Sequence, residues 1–322
     1  MPLTPSFGDK LIGPILALYG EAELRVFRWL AGFLVGERIA AGMTWLARKM
    51  MRLPKLRVGL AKIAKNLDAE SAKRVDTALR SAWATGHSAA RADVPTGAYP
   101  DEKTLVKLID DVVEVIHGAN RNIPIVGENV FRKVVQEAHR ETDSDNQQKI
   151  IERALAKFAR LGITGFVDKR GRRYDLTSYV EMAVRTAVTH AEIEGYTQQA
   201  AAAGYDLIVV SDVPGACVLC QPYEGAVLSI SGATVGAIAR DNRTGQAVRV
   251  DVLCSLDEAR RNGLFHRACR HEIKVWTPDD PVPPRSAPRT ESQRAASRRR
   301  ALDRRLARQR GRIAAAKITA RR

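Results

Sequence analysis

The chain has 322 residues, of which 45% are hydrophobic and 27% carry a charge, a balance typical of a protein that buries a core in water. Four cysteines are too few for a disulfide scaffold in a chain of this length. The first residues lack the basic segment of a secretory signal, and the longest uncharged run, residues 225–239, covers only 15 residues. A bilayer crossing needs about 20 apolar residues. We therefore expect neither a secretory signal nor a membrane span.

The positive charge is concentrated at the C-terminal end of the chain. The net charge is +16, and residues 285–322 hold 14 Arg or Lys residues against two acidic ones, so the remainder is nearly neutral. A cationic tail of this density favours a polyanion as its partner, either nucleic acid or a membrane surface.

Apolar residues recur at helical spacing through residues 1–95. Between residues 10 and 50 apolar clusters alternate with single charges, and residues 57–92 continue with an i, i+3/i+4 stripe. This helical N-terminal region either packs in a core of its own or contains a docking segment for a partner protein. The sequence VPTGAYP, residues 94–100, interrupts the pattern and predicts a boundary.

The sequence predicts three shorter helices in residues 100–162 and a change of character after them. From residue 163, two short strands flank residues 169–171, Lys-Arg-Gly, in a pattern that predicts a hairpin. The predicted fold class is α+β and predominantly helical, with a helical N-terminal half and a small α+β core in residues 163–277.

A long helix and a buried strand are predicted inside this core. Ser178 and Glu181 predict a capping box at the start of the helix, and Gly204 suits its C-terminal end. The apolar run LIVVS, residues 207–211, then predicts a compact buried strand.

Two pairs of candidate metal ligands lie after this strand. Cys217 and Cys220 form a C-x-x-C, and His266 and Cys269 form an H-x-x-C. Zinc takes four Cys or His ligands in structural sites, and at these spacings one turn can present two of them. His271 is a rival for the position of His266. If residues 269–275 form a strand, Cys269 and His271 point to the same side.

The function predicted for this cluster is a structural zinc site that fastens the loop of residues 225–263 to the core. The alternative is a set of buried reduced thiols beside a histidine with ordinary hydrogen bonds. Cys254 belongs to neither pair and is interpreted as a core thiol. A redox C-x-x-C is disfavoured because such motifs precede a helix, and the residues after Cys220 are a poor helix start.

An enzymatic interpretation also has to be considered. His190 and Glu192, followed by Pro214 and the C-x-x-C, partly match the H-x-E … P-C-x-x-C signature of zinc nucleobase deaminases. Two residues separate Pro214 from the first cysteine, and His190 falls deep within a predicted helix. A deaminase would require His190 at the metal, whereas a structural site would require His266 or His271 there.

Several motifs taken together resemble a known family. The segments FVDKRGRRYDLTSYVEMAVRT, CVLCQPYEGAVLSISG and HRACRH, within residues 160–277, resemble the phage minor capsid protein 2 family, which is related to phage head-morphogenesis proteins. The chain departs from that pattern at Arg267 and Ala268. The resemblance implies a non-enzymatic virion protein, present in few copies inside the head near the portal. It also implies portal and capsid proteins as partners, and the host cytoplasm as the place of assembly.

Residues 278–322 comprise a Pro-rich linker and an Arg- and Ala-rich tail that we expect to be disordered or a frayed helix. We expect the tail to contact double-stranded DNA through phosphate groups. A plain DNA-binding adaptor unrelated to capsids would show the same feature. The candidate nucleic-acid-binding residues are Arg298, Arg299, Arg300, Arg304, Arg305, Arg308, Arg310 and Arg312.

Overall fold

The computed structural model describes most of the chain and confirms the predicted fold class, since helices predominate and a small four-stranded sheet lies in the C-terminal part. The described residues are 5–35, 43–94, 101–141, 147–161, 164–167, 173–213, 216–236, 239–240, 247–266, 269–278 and 280, with seven positions between 291 and 307. They fall into two compact units: residues 1–14, 74–112 and 182–297 form one, and residues 15–73, 113–181 and 298–322 form the other.

Helices account for nearly all the described residues before position 162. Their bounds are α1 Pro5–Val35, α2 Trp45–Met51, α3 Leu53–Asp93, α4 Lys103–Asn120, α5 Ile123–Arg140 and α6 Gln147–Leu161. The boundary predicted at residues 94–100 lies, apart from Val94, outside the described residues. Among the described helices, none has the combination of length and apolar content that a bilayer crossing requires.

The core of the second unit is built on stacked aromatic rings. Phe131 lies 6.4 Å from Phe33 in an edge-on contact and 5.9 Å from Phe158 in a stacked one, measured between ring centroids. Lys49 is almost fully buried beside them and donates a hydrogen bond of 2.8 Å to the carbonyl of Phe33. This bond stabilises the lysine, because an ammonium group without partners is costly to bury.

A hairpin leads into the longest helix of the C-terminal part. Strands β1 (Thr164–Val167) and β2 (Arg173–Asp175) pair antiparallel, as predicted, and the tip at residues 169–171 lies outside the described residues. Helix α7 follows as Leu176–Ala202.

The ends of α7 show one prediction that was wrong and one that is confirmed. Ser178 does not begin the helix: its N–H donates to Asp175 Oδ1 at 2.8 Å, so the carboxylate that precedes the helix is the cap. At the other end Gly204 has a φ of 85° and the N–H of Tyr205 reaches the carbonyl of Ala200 at 3.0 Å. This geometry is the glycine-dependent helix end that the sequence predicted.

The sheet of the first unit has the strand order β7-β4-β3-β8. Strand β3 pairs antiparallel with both β4 and β8, whereas β4 and β7 run parallel. The elements are β3 Leu207–Val210, β4 Val227–Ser229, β5 Ala239–Arg240, β6 Ala247–Val248, β7 Val252–Ser255, α8 Leu256–Arg261 and β8 Ile273–Val275.

Both faces of strand β3 are buried, which confirms the prediction from its apolar run. Ile208 and Val210 lie in a cluster that includes residues of α3, α7 and α8, while Leu207 and Val209 pack with Trp276 on the opposite face. A strand covered on both sides has no polar face, so its sequence is continuously apolar.

Tyr196 connects three elements of the first unit. Its hydroxyl donates to Asp93 Oδ2 at the end of α3 at 2.7 Å and accepts the N–H of Val275 on β8 at 2.8 Å. The side chain is fully enclosed. The bond to Val275 is buried and the bond to Asp93 is part-buried. Since the bond to Val275 is shielded from water, we expect it to contribute more than an exposed bond would.

Candidate metal centre

Two turns present the predicted ligand pairs. The carbonyl of Cys217 accepts the N–H groups of Cys220 at 3.1 Å and Gln221 at 3.0 Å, which closes the first turn. The N–H of Cys269 donates to the carbonyl of His266 at 2.9 Å and closes the second. Each pair therefore occupies a single turn, the arrangement that its spacing predicted.

The structure brings all five candidate side chains together. Cys217, Cys220 and His266 form one group whose ligand atoms lie within 4.8 Å of each other, and Cys220, Cys269 and His271 form a second. Cys220 belongs to both. The four cysteines of the chain are free of disulfides. Cysteine and histidine side chains that could hold a metal ion are thus close together at the predicted residues.

The separations between ligand atoms can be compared with those of a tetrahedral site. Zinc–ligand bond lengths imply about 3.8 Å between two sulfur ligands and about 3.6 Å between sulfur and nitrogen. The Sγ atoms of Cys220 and Cys269 are 3.6 Å apart, and Cys269 Sγ lies 3.2 Å from His271 Nδ1. Cys217 Sγ and His266 Nε2 are closer, at 2.7 Å. These two separations in the second group are therefore nearer to zinc geometry than the Cys217–His266 contact is.

A buried carboxylate that the sequence did not reveal stands behind His271. Glu224 is 0% exposed and its Oε1 atom accepts His271 Nε2–H at 2.9 Å and the N–H of Val213 at 3.0 Å. It follows Cys220 by four residues, at the end of the short 3₁₀ turn Gln221–Tyr223. The spacing C-x-x-C-x-x-x-E was the only signal available for it.

The electrostatics of the second group favour one ionised thiol. Hydrogen bonding to Cys269 raises the pKa of the Cys220 thiol, and the same contact, with help from His271, lowers the pKa of Cys269 to about 4 despite burial. Burial lowers the pKa of His271, but its contacts with Cys269 and Glu224 outweigh burial, so the pKa is raised. The lowered pKa of Cys269 favours its thiolate, the form in which cysteine binds metals.

The residues around the site differ in part from expectation. Strand β8 starts at Ile273, so Cys269 and His271 precede it, and the condition that residues 269–275 form a strand is not met. Cys254 is buried in the first-unit core on β7 and belongs to neither group, which confirms its interpretation as a core thiol. Pro214, Arg267 and Ala268 lie outside the described residues.

The histidine and the glutamate of the deaminase-like pattern are not among the grouped ligands of the described residues. His190, in the middle of α7, donates Nε2–H to the carbonyl of Phe265 at 3.3 Å and is in neither ligand group of the described residues. Burial and the charge of Arg260 lower its pKa. Glu192 follows two residues later on the helix, about 200° around its axis. The positions of these two side chains do not favour the zinc–glutamate arrangement of a deaminase.

The C-terminal tail is described at only a few positions. Arg299 is helical and exposed, as are its described neighbours Leu302, Asp303, Leu306 and Ala307. The other candidate nucleic-acid-binding residues lie outside the described residues: Arg298, Arg300, Arg304, Arg305, Arg308, Arg310 and Arg312.

Comparison with known protein families gives a match over almost the whole chain. The family described as "Phage minor capsid protein 2" matches residues 3–320. The match extends well beyond residues 160–277, on which the resemblance in the sequence was based. No curated protein and no solved structure matches the chain.

Proposed function

Because the chain belongs to the phage minor capsid protein 2 family, we propose that it is a structural component of the phage head that acts inside the particle near the portal vertex. The family match over nearly the whole chain is the observation that supports this proposal most directly. Its partners are then the portal and capsid proteins, met in the host cytoplasm during assembly. The role is structural rather than enzymatic, in keeping with a capsid family and with a His190 that is in neither ligand group of the described residues.

The second part of the proposal concerns packaged DNA. Residues 285–322 hold 14 basic residues against two acidic ones, and the described position Arg299 is exposed. Arginine side chains neutralise phosphates without regard to base sequence. No aromatic residue follows Trp276, so base stacking does not contribute there. The tail contacts double-stranded DNA through its phosphates.

The third part concerns the Cys/His cluster. Cys217, Cys220 and Cys269, with one of the two histidines, hold a structural zinc ion. The two ligand turns stand at either end of the segment that contributes β4, β7 and α8 to the first unit. A cation bound between them fastens this segment at both ends. Binding energy of such a site adds directly to folding stability.

Localisation in particles tests the capsid function. Particles assembled with and without the chain are purified, and the chain is labelled by an antibody after the heads are opened. We expect few copies, label at a single vertex, and protection from protease in intact heads. Absence from purified particles, or label spread over the whole shell, would contradict the proposal.

DNA binding is tested separately with the full chain and a variant that lacks residues 285–322. We expect the deletion to abolish low-salt binding to duplex DNA. For the full chain, log K should fall with log salt by about 0.9 per phosphate contacted. A variant with Gln at Arg298, Arg299 and Arg300 keeps the tail length and should show a reduced slope. Unchanged affinity after the deletion would exclude the tail as the DNA contact. A chain that binds DNA but is absent from particles would be an adaptor.

A further inference from the structure

Glu224 has one carboxylate oxygen that the local structure leaves unused. The side chain is completely enclosed, and while Oε1 accepts two hydrogen bonds, Oε2 is buried without a hydrogen-bond partner. A buried carboxylate is costly unless a positive charge compensates it. The ring of His271 faces this carboxylate through Nε2, and its other nitrogen points to the cysteine cluster.

The two histidines of the cluster differ in how their rings are held. His271 is only 6% exposed, and its two nitrogens face opposite partners: Nδ1 lies 3.2 Å from Cys269 Sγ, and Nε2 lies 2.9 Å from Glu224. His266 is half-buried and approaches Cys217 through Nε2 at 2.7 Å. When one zinc ion is bound by both a sulfur and a nitrogen ligand, the two ligand atoms are about 3.6 Å apart. His271 is therefore closer to the position of a ligand.

We propose that His271 is the histidine ligand of the metal centre, that it binds the cation through Nδ1, and that Glu224 is the positioning residue that holds its Nε2–H. The ligand set is then Cys217, Cys220, Cys269 and His271. This inference rests on the zinc site proposed above and adds the choice of histidine, the ring nitrogen and the outer carboxylate.

A carboxylate beside the ring of His271 fits the usual surroundings of a metal-bound histidine. Metal-bound histidines usually donate their second ring N–H to a carboxylate or carbonyl, which fixes the tautomer and the ring orientation. The anionic carboxylate also makes the ring a stronger donor to the cation. Glu224 is well suited to this task because it lies one short turn after the ligand Cys220, so the same segment positions a ligand and its support.

The tautomer of His271 can be read directly in the unmodified protein. The zinc-loaded chain is labelled with ¹⁵N, and two-bond proton–nitrogen correlations show which ring nitrogen carries the proton. We expect His271 to be protonated at Nε2 and metal-bound at Nδ1. Metal coordination by His266 instead, or a proton on His271 Nδ1, would overturn the inference while leaving the zinc site in place. A chain that binds no zinc would overturn both.

Substitutions give a second, independent measurement. Zinc affinity is determined by competition with a chromophoric chelator, at a temperature where every variant is folded by circular dichroism. Glu224→Gln should weaken binding by about 10-fold, the lower end of the range for outer-shell partners. His271→Gln, which removes a ligand, should weaken it more than Glu224→Gln does. His266→Gln, which removes a contact to Cys217 but no ligand, should weaken it less than His271→Gln does.

A matched control separates metal positioning from general damage to the core. Asp206 is another buried carboxylate of the same unit, and it accepts hydrogen bonds of 2.7 Å from Ser229 Oγ and from the N–H of Ser231. Asp206→Asn should lower stability without changing zinc affinity. Equal affinity in the Glu224→Gln variant and the wild type, or an equal loss in Asp206→Asn, would contradict the role of Glu224.

Discussion

Gly86 on α3 and Gly195 on α7 each lie directly against the backbone of the other helix. A Cβ atom at position 86 would be 1.9 Å from the carbonyl oxygen of Glu192, and one at position 195 would be 2.3 Å from the carbonyl oxygen of Trp83. Both distances are too short for real carbon–oxygen contacts. The two helices approach as closely as they do because neither residue has a side chain.

Alanine at Gly86 should therefore destabilise the first unit strongly. The added methyl group meets backbone, which cannot rotate away, so we expect a loss of about 3 kcal/mol or more in the free energy of unfolding. Chemical denaturation of Gly86→Ala against the wild type measures it. Gly20→Ala is the control: it lies within α1 with no atom within 4 Å of an added Cβ, and it should gain about 0.5–1 kcal/mol from helix propensity. Equal effects of both substitutions would refute the close approach.

Removal of the Tyr196 hydroxyl should also destabilise the fold. Tyr196→Phe leaves the buried N–H of Val275 without its acceptor and removes the bond to Asp93. We expect a loss of about 2 kcal/mol, since an unsatisfied buried group costs about 1–3 kcal/mol. A double-mutant cycle with Asp93→Ala isolates the share of the Asp93 bond. Additive effects in that cycle would mean that the two residues are not coupled.

The pH dependence of stability should contain a contribution from Glu192. Burial, assisted by the charge of Glu272, raises the pKa of Glu192 from 4.5 to about 7. The folded state therefore binds a proton that the unfolded state releases between pH 4.5 and 7, so the contribution to stability is complete below pH 4.5 and is lost as pH rises to 7.

Glu192→Gln should remove this dependence. Above pH 7 the variant should be more stable than the wild type by up to about 3 kcal/mol, and the difference should vanish below about pH 4.5. Thermal unfolding across pH at constant zinc concentration measures the effect. Glu70→Gln, on an exposed part of α3, provides the control. A difference that does not change with pH would show that Glu192 is not the titrating group.

Zinc should stabilise the wild type and fail to stabilise a variant of the shared ligand. Cys220 belongs to both ligand groups, so Cys220→Ser should abolish the rise in melting temperature on zinc addition. At a free zinc concentration of about a thousand times Kd, binding should raise the free energy of unfolding of the wild type by about 4 kcal/mol. Cys254→Ser replaces a buried thiol of the same core that is outside the groups. It should cost some stability but keep the full response to zinc. If both variants respond alike, the cluster is not the binding site.

Periodicity was sufficient to predict the helices and the central strand. The stripe over residues 57–92 corresponds to α3, and the apolar run from Leu207 corresponds to the fully buried β3. The cysteines and histidines were found because each pair falls within a single turn, so their proximity is a local property of the sequence. Residues that are close in sequence stay close in the folded protein, so such patterns can be interpreted without knowledge of the fold.

The relationships that sequence could not reveal join segments far apart in the chain. Glu224 contacts His271, which lies 47 positions later in the sequence, and Gly86 contacts α7 about a hundred positions later. Neither Gly86 nor Gly195 has a local reason to lie within a helix. Glycine destabilises a helix by about 1 kcal/mol relative to alanine, and this cost was the only indication in the sequence of a packing role. The cap of α7 was missed for a different reason: Asp175 and Ser178 both suit the position, and only the hydrogen bond distinguishes them.

The strand order β7-β4-β3-β8 also has a consequence for synthesis. Strand β3 is completed on one side by β4, about twenty residues later, but on the other side only by β8, residues 273–275. The ribosome synthesises the chain from its N-terminus, so one edge of β3 stays unpaired until almost the whole core has been synthesised. Cys269 and His271 emerge just before β8. The last two proposed ligands and the closing strand thus leave the ribosome together, and the basic tail follows only after the core that precedes it can close.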